Sequence, residues 1–269
     1  MQLANDNNGI SSPDQKVVSG QPTPLPDLPT ESALFLDIDG TLVGHASHPS
    51  AIHIDLPLRS LLASLKLATG GAVALISGRS IADIDTLFSR TILPVAGQHG
   101  IERRSADGVV HMQELAADLF RAPTHELRNL CLTHPGFLLE EKGASLALHY
   151  RADPNLEGLA QQTILALAAS LGGKFETLLG KYVVELRLSG KNKGTAIAEF
   201  MAEMPFRNRV PVFVGDDLTD EFGFDLVNCL GGLSVKVGEG PTCAGWRLHD
   251  TEAVIRWLLA SVKRRTVQH

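Results

Sequence analysis

Ala33–Leu42, ALFLDIDGTL, constrains the fold more than any other stretch: an apolar run passes straight into two aspartates, a glycine and a threonine. An unbroken apolar run ending at a turn signal reads as a strand buried on both faces, the kind found in parallel α/β sheets. Asp37 and Asp39 stand where that strand ends, and in an open α/β sheet the carboxyl ends of the strands are where ligands bind. Side chains two apart in an extended segment point the same way, so both carboxylates can address one site. Gly40 permits a tight turn, and Thr41 brings a hydroxyl beside it. The competing reading of DIDG is a calcium loop. That loop needs further oxygen ligands and a closing glutamate between two helices, whereas here a strand precedes the motif and Gly44, His45 and Ala46 follow it.

The same texture returns along the chain. Leu56–Ala68 has helical periodicity through Leu58, Leu61, Leu62 and Leu65, and Gly70-Gly71 stops it. Ala72–Ser77 is a second buried strand, with Ser80 and Asp83 spaced as a capping box for the helix behind it. Pro94–Ala96 makes a short third strand. His45, His48 and His53 fit no helical pair spacing and are broken by Pro49, which reads as a polar loop. From about His111 the pattern changes. Met112–Leu132 and Leu156–Leu171 read as helices, each followed by a hairpin: Phe137–Glu141 with Ser145–Tyr150 about Lys142-Gly143, then Lys174–Leu178 with Tyr182–Leu188 about Gly180. Alternating apolar and polar residues in these strands suit a sheet with one face solvated or facing a ligand. The buried-strand texture resumes with a helix over Thr195–Met204, strands at Val210–Val214 and Leu233–Val237, the last expected, and a closing helix over Asp250–Val262. The expected fold is α/β: a Rossmann-like core with a parallel sheet over 31–110 and 189–269, interrupted by a smaller α+β module over 111–188. Residues 1–30, with Pro22, Pro24, Pro26 and Pro29, read as a disordered or loosely docked tail.

Composition narrows the partners. A formal charge of −6 argues against a nucleic-acid or anionic-membrane surface. Cys131, Cys229 and Cys243 are odd in number and widely spaced, which suits a reducing, cytoplasmic compartment better than a disulfide framework. No apolar stretch approaches the ~18–20 residues of a membrane helix. The carboxylates carry the chemistry. Asp37, Asp39, Asp216, Asp217 and Asp220 all stand at strand ends that a doubly wound sheet brings to one edge. Together they repel unless a cation binds or some protonate. Hard oxygen ligands without cysteine or histidine point to Mg²⁺, which shares its shell with phosphate. A phosphoryl group entering such a cluster also needs positive charge, which Mg²⁺ and Lys193 could supply, with Lys191 as the rival lysine. Ser77, at the tip of the second strand, can hydrogen-bond a phosphoryl oxygen.

DIDGT, Ser77, Lys193-Gly194 and GDDLTD, in that order, resemble the four motifs of the haloacid dehalogenase-like superfamily. The finer resemblance is to the trehalose-6-phosphate phosphatase family. It rests on Ser77-Gly78-Arg79, the heptad Gly97–Arg103, Glu140-Glu141-Lys142 with His149-Tyr150-Arg151, Glu185-Leu186-Arg187, and Gly215–Glu221. It spans about Leu34 to Val237, and Leu188 stands where many relatives carry proline. The resemblance implies a C2-type cap over residues 111–188 and an Mg²⁺-dependent phosphatase of trehalose 6-phosphate, functionally linked to a trehalose-6-phosphate synthase. Asp37 would be the nucleophile and Asp39 the general acid and then base, with Ser77 and Lys193 holding the phosphoryl group. Asp37, the Asp39 carbonyl, Asp216, Asp217 and Asp220 would hold the metal. Glu140, Lys142 and Glu185 would reach the sugar from the cap, with Thr41, Gly78, Arg79, His99, Glu102 and Arg103 as further substrate-site residues and His99 as an alternative orienter of the cap hinge. Two rivals stand beside this: a phosphatase for a sucrose-, mannosyl- or glucosylglycerate-type phosphate, and a non-catalytic sugar-phosphate-binding regulatory subunit.

Overall fold

The computed structural model describes residues 25–45, 54–89, 93–112, 117–141, 145–180 and 182–266. Strands β1 (Ser32–Leu36), β2 (Val73–Ile76), β3 (Val95–Gly97), β10 (Val210–Gly215), β11 (Leu233–Val237) and β12 (Trp246–Leu248) run parallel. Two more, β4 (Glu102–Arg104) and β5 (Val110–Met112), add an antiparallel edge, giving the order β12-β11-β10-β1-β2-β3-β4-β5. The chain leaves β1 towards β2 on one side and returns as β10 on the other. The strand order therefore reverses beside β1, the place where open α/β sheets form their crevice.

Alternation along the strands sorts the core into two layers. Leu34, Leu36, Val73, Leu75, Val212 and Val214 face helices α1 (Leu56–Ala68), α2 (Ile81–Leu87) and α7 (Thr251–Thr266). Ala33, Phe35, Ala72, Ala74, Ala96 and Phe213 face α5 (Lys193–Met201) and α6 (Glu221–Cys229). The small strand residues of the second layer leave room for aromatic rings. Phe35 stacks on Phe206 at 5.5 Å between centroids and meets Phe200 at 6.0 Å. Helix α1 begins where the Asp55 carboxylate accepts the Leu58 N–H.

A second sheet lies between β5 and α5 in sequence. Its strands β6 (Leu138–Glu141), β7 (Ser145–His149), β8 (Phe175–Gly180) and β9 (Val183–Leu188) pair antiparallel in the order β6-β7-β9-β8. Leu146, Leu148, Val184, Leu186 and Phe175 pack into one cluster with residues of α3 (Ala117–Thr133) and α4 (Glu157–Ser170). The register sets Glu140, Ala147 and Glu185 in a row on the opposite face.

The structure differs from the sequence expectations at several points. The sheet is mixed because β4 and β5 pair antiparallel at its edge; each has three residues, too few to show a period. Pairing of Met112 with Glu102 in that edge delays α3 to Ala117. Leu233–Val237 is not the last strand, since β12 adds an edge beside it. Helix α5 starts at Lys193 rather than Thr195 because Asn192 caps it. The central strands β7 and β9 are buried on nearly all positions instead of having a solvated face. In the proline-rich leader, Leu28 is part of the core, and the Trp257 indole N–H donates to the Pro26 carbonyl at 3.0 Å. Residues 1–24, His48, His53 and the Lys142-Gly143 turn lie outside the described residues.

Replacing Phe35 by alanine should lower the unfolding free energy by about 3–5 kcal/mol in denaturant titration, as for aromatic truncation in a core. Leu67→Ala, at an 84% exposed position, should change it by less than about 0.5 kcal/mol.

Candidate active site

Asp37 follows β1 directly, and its N–H donates to the Val214 carbonyl of β10 at 3.0 Å, so neighbouring parallel strands deliver Asp37 and Asp216 side by side. The chain then turns, with Gly40 N–H on Val43 at 2.7 Å and Leu42 N–H on Ile38 at 2.9 Å. Gly40 has φ +85, and a Cβ there would lie 2.2 Å from Asp216 Oδ2, so the turn requires glycine twice over. Thr41 is buried with its hydroxyl 3.5 Å from Asp216 Oδ1. The Asp39 carboxylate is held in a two-point clamp by Arg79, Nε to Oδ2 at 2.7 Å and Nη2 to Oδ1 at 2.8 Å.

Lys193, at the first position of α5, is buried between two carboxylates. Its Nζ donates to Asp37 Oδ1 at 2.8 Å and to Asp220 Oδ1 at 2.6 Å. The other Asp220 oxygen accepts the N–H groups of Asp216 and Asp217, both at 2.9 Å, which folds the GDDLTD turn around it. Gly215 makes room for this: a Cβ there would lie 2.3 Å from Asp220 Cγ. Asp217 is turned away to cap that turn, accepting from the Thr219 N–H and, at 2.7 Å, its hydroxyl. On the far side, buried Lys236 donates to the Asp216 carbonyl, and His45 Nε2 lies 3.0 Å from Asp216 Oδ2.

Burial pushes the Asp37 carboxyl well above the usual carboxylate range, with Lys193 pulling against it. Burial also raises Asp216 and Asp220. Lys193 is held above an ordinary lysine because Asp220 and Asp37 more than offset its own burial. For Asp217, burial is outweighed by Lys193 and the Thr219 bonds, so its carboxyl is lowered. One ammonium thus faces several carboxylates, an excess of negative charge that a cation would relieve. Carboxylate oxygens of Asp37, Asp216 and Asp220 lie within 4.8 Å of one another, and Asp37 Oδ2 is buried without a hydrogen-bond partner among the described residues. An all-oxygen set with an open lone pair fits a hard divalent cation.

The remaining expected residues divide. Ser77 is buried at the tip of β2, its hydroxyl oxygen accepting the Arg79 N–H at 3.1 Å and its carbonyl accepting the His99 N–H at 3.0 Å. The His99 ring packs on Gly78, where a Cβ would be 2.8 Å from Nε2. Glu102 and Arg103 are not brought to the carboxylates. Glu102 accepts the Ile81 N–H of α2 at 2.8 Å, and Arg103 binds Glu199 of α5 at 3.1 Å and Glu203 just beyond that helix at 2.7 Å, with its guanidinium over the Phe200 ring. Glu140 meets His149 at 2.9 Å on the sheet face that carries buried Glu185. Lys142 lies outside the described residues. Sequence reasoning missed Lys236 and the His45 contact. The one signal for Lys236 was a lysine inside an otherwise apolar strand, SVKV.

Comparison with known proteins adds to this geometry. A family model described as trehalose-phosphatase matches residues 35–252. The trehalose-6-phosphate phosphatase of Escherichia coli strain K12 is 43% identical over 236 residues, covering 88% of each chain. Among solved structures, one described as a trehalose-6-phosphate phosphatase related protein is 27% identical with a TM-score of 0.70, covering 88% of this chain and 99% of its own. A haloacid dehalogenase-like hydrolase from Bacteroides thetaiotaomicron, 15% identical with a TM-score of 0.63 over 86% of this chain and 99% of its own, shares the fold.

Gly215→Ala should displace Asp220 and, through it, the turn that carries Asp216. Mg²⁺ affinity measured by calorimetry should fall at least about tenfold, a loss on the scale of one misplaced metal-supporting group. An unchanged affinity would show that the turn tolerates the methyl group.

Proposed function

This chain belongs to the trehalose-phosphatase family, and we propose the following path for its reaction, the hydrolysis of trehalose 6-phosphate to trehalose and inorganic phosphate. The observation that carries the path is the Asp37–Lys193–Asp220 bridge, which leaves Asp37 Oδ2 open at the carboxyl edge of the sheet. Lys193 orients the Asp37 carboxylate for attack on phosphorus, forming an aspartyl-phosphate as the sugar alkoxide departs. Asp39 protonates that alkoxide and later takes the proton of the attacking water. Both Asp39 oxygens start on Arg79, so the clamp loosens as substrate arrives. Ser77 donates to a phosphoryl oxygen, and Lys193 balances charge on the transferring group.

Asp37, Asp216 and the Asp39 carbonyl would hold Mg²⁺. Asp220, whose oxygens are occupied, and Asp217 would support it from behind. When bound, Mg²⁺ supplies positive charge to the phosphoryl oxygens. The cap begins after β5, whose His111 and Met112 belong to the core sheet, and runs to 188, with Glu140, Lys142 and Glu185 recognising the sugar, while Thr41, Gly78 and His99 shape the floor beneath it. Three free cysteines support a cytoplasmic setting, and no helix among the described residues is long and apolar enough to cross a membrane. A non-catalytic regulatory role is disfavoured because such a module has no need of a nucleophile held beside a buried ammonium.

The test is phosphate release from trehalose 6-phosphate, glucose 6-phosphate and sucrose 6-phosphate, with Mg²⁺ and with chelator. Mg²⁺-dependent release confined to trehalose 6-phosphate is expected. Equal release from all three would keep the chemistry and discard the sugar specificity.

A further inference from the structure

Arg187 is a buried charged side chain that the path above leaves unused. It stands on β9 with 3% of its surface exposed, on the same sheet face as Glu185, since residues two apart in a strand share a face. Helices α3 and α4 pack on the opposite face of this sheet, and Arg187 is met from the core domain. Its guanidinium carbon lies 5.6 Å from the centre of the Phe222 ring, in the first turn of α6 just beyond Asp220. The Phe222 carbonyl in turn packs against Gly194, beside Lys193. Arg187 therefore bridges the cap sheet to the elements that hold the carboxylates.

The guanidinium is fixed on two sides. Nε and Nη2 both bond one oxygen of Glu176, at 2.8 and 2.7 Å, and the ring of Phe222 backs its face. Nη1 is buried with no hydrogen-bond partner among the described residues. A buried donor without an acceptor is costly, and more so when it is charged. An ordinary cross-strand ion pair on a solvated sheet would leave this nitrogen in water, and 3% exposure excludes that reading. The acceptor it suits is a neutral oxygen. Glu176 already balances the charge, so Nη1 offers a directed N–H rather than a net positive field, and the phosphoryl group is served by Lys193.

We propose that Arg187 is a specificity-determining residue that donates from Nη1 to an oxygen of the sugar portion remote from the phosphate, with Glu176 and Phe222 holding its plane. This deepens the reading of the function given above and rests on it.

The experiment measures kcat/KM of the wild type, Arg187→Met, Arg187→Lys and Phe222→Leu on trehalose 6-phosphate and on a small aryl phosphate. The lysine keeps a charge for Glu176 but lacks the planar fork, so both Arg187 variants should lose the preference for trehalose 6-phosphate by about tenfold or more, chiefly through KM. Phe222→Leu should lose less, in the same direction. Calorimetric affinity for trehalose itself should weaken in parallel. A preference kept by the folded Arg187→Lys protein, or equal losses on both substrates, would overturn the role of Arg187. A wild type without that preference would overturn the underlying reading instead. If Arg187→Met fails to fold, the lysine variant and the trehalose affinity decide.

Discussion

Lys193 between Asp37 and Asp220 is the interaction on which the rest of the site depends. An ammonium and two carboxylates taken out of water must neutralise one another or be lost, and removing one member of a buried ion pair costs about 3–5 kcal/mol. The bridge fixes three separate parts of the chain at one point: the end of β1, the start of α5 and the turn after β10. Its geometry also divides the labour among the aspartates. Asp220 is consumed by Lys193 and two backbone N–H groups, Asp217 by its own turn, Asp39 by Arg79 and Asp216 by Thr41 and His45, while Asp37 alone keeps an oxygen without a partner among the described residues. Strand-end placement in the sequence made five equivalent carboxylates, and the fold makes them unequal.

The two sheets are linked near this point by Arg187 of β9 over the Phe222 ring of α6. The core sheet supplies charge at its carboxyl edge. The four-stranded sheet turns one face to its helices, and the other bears Glu140, Glu185 and Arg187, of which Arg187 meets Phe222 of the core domain. Buried polar side chains on a sheet face are costly unless they are matched, and here the matching groups come partly from the same sheet, as with Glu176, and partly from across the interface, as with Phe222. The ion pairs of Arg103 with α5 and of Arg104 with Asp85, both from the antiparallel edge strand β4, brace the helices behind the site.

Much of this was legible in the sequence because the decisive elements are long, apolar and end in charge. The strands after which Asp37, Ser77 and Asp216 stand could be read from composition alone, and strand-end placement brought the carboxylates together. Of the short elements, β3 was read from its apolar residues, while the edge strands were not legible. β4, β5 and β12 each have three residues, too few for a period, and their pairing is decided by neighbours distant in sequence. Glu102 and Arg103 belong to the quoted heptad, yet their side chains are spent on α2 and α5. A motif records that a residue type is needed and leaves open whether for substrate or for scaffold. Arg187 stood in a quoted motif and Lys236 inside a mostly apolar strand, yet only burial distinguishes their side chains from ordinary surface charges.

The most direct test of Asp37 as a covalent nucleophile is the stereochemical course at phosphorus, using a substrate made chiral there with oxygen isotopes and sulfur. Attack by Asp37 followed by attack of water is two in-line displacements, so net retention is expected. Net inversion would mean that water attacks the sugar phosphate directly, and would contradict the role drawn from the Lys193 bridge.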